Sequence, residues 1–547
     1  MYLTQNPVLQ HELLANLRAP RAFLLLAVYV GLLGGVVLLA WPQDQVLDLA
    51  QPEVAKRLVD LFFLGQYFLA SMMAPSFAAG AITGEKERHS YEMLLASPLR
   101  PGAIVLGKLL AALLHLGVLM LCSLPIVMLC LPLGGVSAYE VLAAYLAMIS
   151  SVALFGMISL WASSFFQRTS AALVVSYLLI LPLALGGVLV WNALGQRGET
   201  RLMVATTIAP LAFLSTAGVL WGYTTRRLLY PADLGSGGQD AIDLESEARD
   251  AVGLYIKREE WPDSLFAPPK RNDFLPDGAN PIYDKEMRSE IFAQGTLMLR
   301  LVIQISMLLA LVLMAVCLFI FPWWAPWYLC YVLLFNMLVG PVFSAGSVCN
   351  ERERQTLDLL LTTLITPGQM LWGKLLSGLR VSSVLTGFIT FPVLLACLLP
   401  LDYWRNLPTM AGYLLIVGGA CVTTSITSLL CSTLFRKTAT SLITSYAVII
   451  ALFAAPLAAD FFAREFYAGT PAAEAARIGS AVSPFAATLV LPLSIDRGSD
   501  ANLEAAEAQA AGDPPVFFAH VTWVFNYNLT VLLVIAWMFR ARWRVAE

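Results

Sequence analysis

Residues 22–41 run for a full twenty positions without one charged side chain, and blocks of this kind recur along the whole chain. About 20 consecutive apolar residues are enough to carry a helix across the hydrocarbon core of a bilayer. Backbone in lipid must satisfy its own N–H and C=O groups, which leaves only helices and closed barrels, and blocks of this length read as helices. The composition agrees: of 547 residues, 58% are hydrophobic and 13% charged, whereas ordinary globular domains are about 45–50% apolar and about 25% charged. A net charge of −3 and a pI near 5.9 give no reason to expect a nucleic-acid partner. Asn6, His11, Glu12, Arg18 and Arg21 precede the first block. That block is too long for a signal-peptide core and no small-residue cleavage site clearly follows, so it is expected to stay as a membrane anchor.

The apolar blocks predict about twelve spans, at 22–41, 60–83, 103–131, 139–164, 170–191 and 203–225, then 297–321, 327–348, 369–399, 409–434, 439–459 and 516–539. Between the sixes lies a polar stretch, too polar to span, that reads as a linker with some helix. Lys and Arg near span ends mark the cytoplasmic side. They fall on one side throughout: Lys86, Arg88, Arg100, Arg168, Arg226 and Arg227, then Arg352, Arg354, Arg436, Lys437, Arg540, Arg542 and Arg544. Both termini and the linker are therefore expected in the cytoplasm, with 42–59 and the acidic 460–515 segment outside.

The chain repeats itself. Asn6-Pro7-Val8 with Glu12 recurs as Asn280-Pro281-Ile282 with Glu286. EKERHSYEMLLASPLRPGAIVLGKLL (85–110) aligns without a gap to ERERQTLDLLLTTLITPGQMLWGKLL (351–376), and SSFFQRTSAALVVSY (163–177) to STLFRKTATSLITSY (432–446). The three matches keep their order at separations of 274, 266 and 269 residues. Six spans per copy is an even number, so the halves are parallel repeats and not inverted ones.

The segment after each second span is the most informative. A mixed-charge start is followed by a short amphipathic stretch (Tyr91 to Leu95; Leu357 to Leu361), a Pro-Gly turn, and Lys108 or Lys374 as the next span begins. It reads as a short helix across the bundle that offers leucines and charges to a partner; the plainer reading is a solvated connecting loop. GAIVLGKL and GQMLWGKL imitate part of a phosphate-binding loop, but Leu109 and Leu375 stand where a Ser or Thr would hold magnesium. No other candidate loop is present, so the chain is expected to bind no nucleotide or other cofactor and to catalyse no hydrolysis. The segments that open each repeat, around 6–20 and 280–296, read as amphipathic helices at the membrane surface.

Ionisable groups inside spans are functional candidates, and they are few. No Asp or Glu lies well inside a predicted span; Glu140 and Asp460 sit at ends, Arg300 and Arg380 near the cytoplasmic face, and His115 is the main candidate within. A proton- or sodium-coupled carrier would want a buried carboxylate. Pro125 and Pro392 recur at equivalent places in the third and ninth spans, where they are expected to kink helices for packing or to line a path. The eight cysteines all lie in or beside apolar segments, with no CxxC spacing. Neither a disulfide scaffold nor a metal site is indicated, and they read as small packing residues.

The pattern E-x-E-R-x-(S/T)-x-(E/D)-x-L-L, with Pro-Gly and Gly-Lys heading the next span and an Asn-Pro helix opening each repeat, resembles the ABC-2 type transporter permeases. The resemblance covers nearly the whole chain, twice. It implies an all-α polytopic membrane protein with the ABC-2 (type-2 exporter-like) permease fold. Residues 1–225 would form a first permease domain, 226–279 a cytoplasmic linker and 280–547 a second domain, in place of the family's more usual pair of six-span chains. It also implies coupling helices that dock on two copies of a cytoplasmic ABC ATPase, with ATP and magnesium held by that partner. Carried over, the docking residues are Glu85, Glu87, Arg88, Glu92, Leu94 and Leu95, and Glu351, Glu353, Arg354, Asp358, Leu360 and Leu361. Movement of these helices would change access along a path between the two halves, exporting a hydrophobic or amphipathic substrate across a bacterial inner membrane. Relatives often carry short re-entrant helices after the fifth span; 192–202 is too short for them and 460–515 long enough, so the two exits are expected to differ. Two other readings remain: a membrane module that passes ATPase motion to an outer partner, for instance at 460–515, and a twelve-span secondary carrier.

Overall fold

The computed structural model describes residues 53–87, 90–130, 137–166, 169–194, 198–229, 278–289, 297–315, 325–353, 363–398, 407–467, 469–491 and 514–546, with isolated residues at 7–10, 27–35, 355–357 and 360. Most of the opening segment 6–20, most of the first expected span and linker residues 230–277 lie outside them. No strand occurs among the described residues. The chain forms two compact units, Met1–Tyr255 and Ile256–Glu547.

In the first unit α1 (Glu53–Ala78) leads into two short helices, α2 (Gly80–Glu87) and α3 (Tyr91–Leu95). The long helices α4 (Pro101–Cys130), α5 (Ala138–Phe165) and α6 (Thr169–Ala193) follow. The last, α7, comprises Gly198–Met203, one wide π turn at Val204–Ile208, and Ala209–Leu229. Pro210 cannot donate back to Thr206, and the wide turn just before it absorbs the missing bond. At the centre stands α5, packed against α1, α4, α6 and α7. It starts in a capping box: Ser137 Oγ accepts from the Glu140 N–H at 3.2 Å while the Glu140 carboxylate accepts from the Ser137 N–H at 3.0 Å.

The second unit holds α8 (Pro281–Ser289), α9 (Leu297–Ala315), α10 (Ala325–Ser344), α11 (Cys349–Glu353) and α12 (Pro367–Leu398). After them come α13 (Leu407–Leu434), α14 (Thr438–Phe466), α15 (Pro471–Ser480), α16 (Pro484–Val490) and α17 (Pro514–Ala546). Here α13 takes the central place, against α10, α12, α14, α16 and α17.

Among the described residues nine helical stretches are long and apolar enough to cross a membrane; α1 and α9 lie where two further spans are expected. Leu211 and Val219 on α7 and Phe518, Phe525 and Trp537 on α17 are among the large apolar side chains left exposed. Water would penalise such faces, whereas lipid tails cover them. The chain is a multi-pass membrane protein.

The 460–515 segment is not the plain loop its composition suggests. Helix α14 runs on to Phe466, because Asp460, at its end and buried, pairs with Arg464 one turn later at 2.8 Å. Two short helices follow, each with a Ser or Thr at the N-cap and Pro at the first helical position. Helix α16 is enclosed by α10, α13, α14 and α17, with Pro484 to Thr488 buried. In the first unit only residues 194–197 separate α6 from α7.

Candidate functional site

Each unit contains the same helix break. Pro75 and Pro341 lie near the ends of α1 and α10, and their carbonyls accept from the N–H groups of Ala79 and Ala345 at 2.9 and 2.8 Å. The helix then restarts as α2 or α11, and the first N–H groups of a restarting helix have no partner of their own. A serine from the central helix supplies one. Ser163 Oγ accepts from Ile82 (3.1 Å) and Thr83 (2.9 Å), and Ser432 Oγ accepts from Val348 (2.9 Å) and Cys349 (3.1 Å).

The charged residues that follow fill the corner where the central helix ends and the next one begins. The Lys86 ammonium donates to the carbonyls of Ser163, Ser164 and Phe166 at 3.3, 2.7 and 3.0 Å, at the C-terminus of α5. Arg352 does the same to Thr433 and Phe435 at the end of α13, at 2.8 and 2.9 Å. One residue later an anion meets the next helix: Glu87 accepts from the Thr169 N–H at 2.7 Å, and Glu353 from the Thr438 N–H at 3.0 Å and its hydroxyl at 2.7 Å. Cation at a helix C-terminus and anion at an N-terminus are the signs that the peptide dipoles favour. The placement still costs Lys86 hydration: burial first, then the Arg227 charge, pushes its ammonium down to about 8.

The first glutamate of each cluster closes the turn. Ser90 and Thr356 donate from their N–H to the carbonyls of Glu85 and Glu351 at 3.0 and 2.9 Å, and from their hydroxyls to the carboxylates of the same residues. Gln355 takes a left-handed conformation (φ 57°) to allow this in the second unit. The opposite oxygens meet a buried lysine. Lys108 lies 3.3 Å from Glu85; Lys374, fully enclosed, lies 2.8 Å from Glu286 on α8 and 3.7 Å from Glu351, and donates to the Ser347 carbonyl at 2.6 Å. Lys285 pairs with Glu351 at 2.7 Å.

The opening helix of the repeat fits against this lysine. Asn280 caps α8, accepting from Ile282 at 3.0 Å, and donates to the Gln369 carbonyl at 2.7 Å. Ile282 packs beside Met370, Leu371 and Leu375. A Cβ on Gly373 would come within 3.0 Å of Ile282 and the Tyr283 nitrogen, so only glycine lets α8 lie this close to α12. The Gly-Lys pair that imitated a phosphate loop therefore sits inside a continuous helix, the glycine making room for α8 and the lysine meeting its glutamate.

Of the residues expected to dock a partner, Glu85, Glu87, Glu351 and Glu353 are engaged within the protein. Glu92 is exposed, and Leu94, Leu95 and Leu360 are half-buried, Leu95 against a core that includes Tyr91 and Val105, and Leu360 against the Ile282 core. Arg88, Arg354, Asp358 and Leu361 lie outside the described residues, as does the side chain of His115 on α4. Pro125 and Pro392 lie inside α4 and α12. Sequence reasoning gave Lys86 and Arg352 no role beyond marking the cytoplasmic side, and Ser163, Ser432, Thr169 and Thr438 none, although all six stand in the aligned segments. The exposed points of the site are Met93 on α3 and Leu364 after α11, with relative exposures of 79% and 103%.

A comparison with protein families finds a match to the one described as ABC-2 family transporter protein, over residues 7–220 and 282–539. Neither curated proteins nor solved structures give a match. The two matched stretches hold the two copies of the braced corner and together make up most of the chain. It belongs to the ABC-2 transporter family.

Proposed function

We propose that this chain, as the membrane subunit of an ABC transporter, is a complete permease pair: residues 1–225 and 280–547 are its two permease domains, joined by a cytoplasmic linker at 226–279. Each offers one docking point to a separate ATPase copy, and the transported substrate is hydrophobic or amphipathic and leaves the cytoplasm of a bacterial cell. Both termini lie on the cytoplasmic side, where the basic residues gather. ATP and magnesium belong to the ATPase and none of the chemistry to this chain.

One observation carries the reading. In both units a short segment is held at three points to the end of the central helix and the start of the next, and just beyond it an apolar side chain stands free in solvent. An exposed methionine or leucine on a rigid base is what a partner can grip, and a push on it is not lost in a flexible loop. Movement of α3 would pass to the corner between α5 and α6, and the same holds for the second unit.

The test separates grip from brace. Glu92→Arg with Met93→Asp, and Leu364→Asp in the second unit, are expected to abolish co-purification of an ATPase encoded beside this chain while leaving the melting temperature within 1–2 degrees, roughly what surface substitutions allow. Charge reversal at Glu87 or Glu353 is expected to lower the melting temperature as well. A chain that purifies stably with no ATPase, or one that still holds it after the α3 and Leu364 substitutions, would overturn the reading.

A further inference from the structure

The buried centre of the second unit is polar where the first unit is apolar. Asn336 on α10, wholly enclosed, shares the two N–H donors of Nδ2 among Ser382 (3.3 Å) and Thr386 (3.1 Å) on α12 and the Cys421 sulfur (3.0 Å) on α13, and accepts from Thr424 (3.2 Å). In the register of the repeat, Asn336, Ser382, Thr386, Cys421 and Thr424 stand where the first unit has Ala70, Leu116, Met120, Val152 and Phe155, all buried. The first unit's own buried polar pairs, Gln66 with Tyr29 and Ser123 with Tyr145, lie at other positions.

Towards the charged corner the next direct bonds between α13 and the α10–α11 segment are those of Ser432 with Val348 and Cys349. Ser344 lies one turn before Val348, Ser428 one turn before Ser432, and Ser425 one turn after Cys421, so all three fall on the facing sides between the two sets of bonds. Their exposures are 1%, 0% and 0%, and none of the three hydroxyls has a hydrogen-bond partner among the described residues. A helical serine in such a place ordinarily bonds back to its own helix. Ser159, which the repeat aligns with Ser428, does so to Phe155 at 2.9 Å. Two glycines let hydroxyls pack close against the facing helix. A Cβ on Gly378 would stand 2.5 Å from Ser344 Oγ, and one on Gly340 2.6 Å from Thr424 Oγ1; the first unit has Ala112 and Ala74 there.

We propose that the seam between α10, α12 and α13 is a built water site, held by Ser344, Ser425 and Ser428, two of which the first unit replaces with Ala78 and Gly156. A buried water needs two to four polar partners, which these hydroxyls supply, and water both donates and accepts. Stranding three hydroxyls in an apolar setting would be costly, and the first unit has Ala78 and Gly156 where Ser344 and Ser425 stand, and at Ser159 a serine bonded to its own helix. A bridged contact exchanges partners readily, so α13 can shift against α10 at this level without losing direct bonds.

Radiolytic labelling of the full chain in lipid nanodiscs tests this, because bound water is activated in place and oxidises the side chains that line it. Cys421 is expected to be modified in the native chain, and Ser425→Ala with Ser428→Ala to slow its modification several-fold while that of Met120 stays unchanged. No modification of Cys421, or a rate unchanged in the double variant, would overturn the proposal. A second measurement decides if the double variant does not fold: Ser344→Ala alone lowers the melting temperature where its hydroxyl is bridged by water, and raises it where the hydroxyl is dry and unpartnered.

Discussion

At the scale of the residue, the described glutamates of the charged cluster brace the protein itself. Glu87 and Glu353 do the work of N-cap side chains from a distance, so Glu87→Ala and Glu353→Ala are each expected to cost about 1 kcal/mol, read as a lower midpoint in thermal unfolding of the purified chain. Lys374 is more demanding. It is fully enclosed and faces Glu286 and Glu351, and removing it takes the buried cation from both carboxylates. Lys374→Met is therefore expected to cost about 3–5 kcal/mol, with partial recovery when Glu286→Gln is added; no loss of stability in the single variant would show that the cluster contributes nothing. Lys86 gives a pH dependence with a definite sign. Its folded-state value near 8 lies below the 10.5 of a free lysine, so between those limits the unfolded chain binds the proton that the folded chain has released. Stability from this residue is thus lowest below pH 8 and rises with pH across the window. The melting temperature of the native chain relative to Lys86→Met should climb from pH 8 to 10.5, and a flat difference would contradict the assignment.

At the scale of the element, one serine per unit joins a restarting helix to its neighbour. Ser163→Ala and Ser432→Ala each strand two backbone N–H groups, for about 1–3 kcal/mol apiece; faster hydrogen exchange at Ile82 and Thr83, or at Val348 and Cys349, would be the local readout. Much of the architecture was legible because length and hydropathy determine membrane helices almost by themselves: α5, α6 and α13 begin and end within two residues of the apolar blocks. What was not legible depended on contacts distant in sequence. Glu87 looks in sequence like any surface carboxylate, and only the return of Thr169 to its side makes it a cap. Gly373 and Lys374 looked like half of a phosphate loop until α8 supplied Ile282 and Glu286. The prolongation of α14 was missed because Asp460 reads as the end of a span until Arg464 is seen to pair with it.

At the scale of the whole molecule, the repeat preserves its charged corners and lets the rest diverge. The aligned positions of the braced corner, from Ser163 and Lys86 to Ser432 and Arg352, keep their bonding pattern across the two units, while the positions around Asn336 are polar in the second and apolar in the first. The proposed pair of permease domains, each with its own docking point, leads to a fixed expectation: native mass spectrometry of the assembled transporter should show two ATPase copies to one copy of this chain, and a one-to-one complex would exclude the tandem-permease reading. The short helices α15 and α16 obey no such pairing. They occur once, with Ile478 open to solvent at 69% exposure. An antibody fragment raised against these two helices, or a dye placed on a cysteine there, would therefore mark each particle a single time and tell the second unit from the first in images.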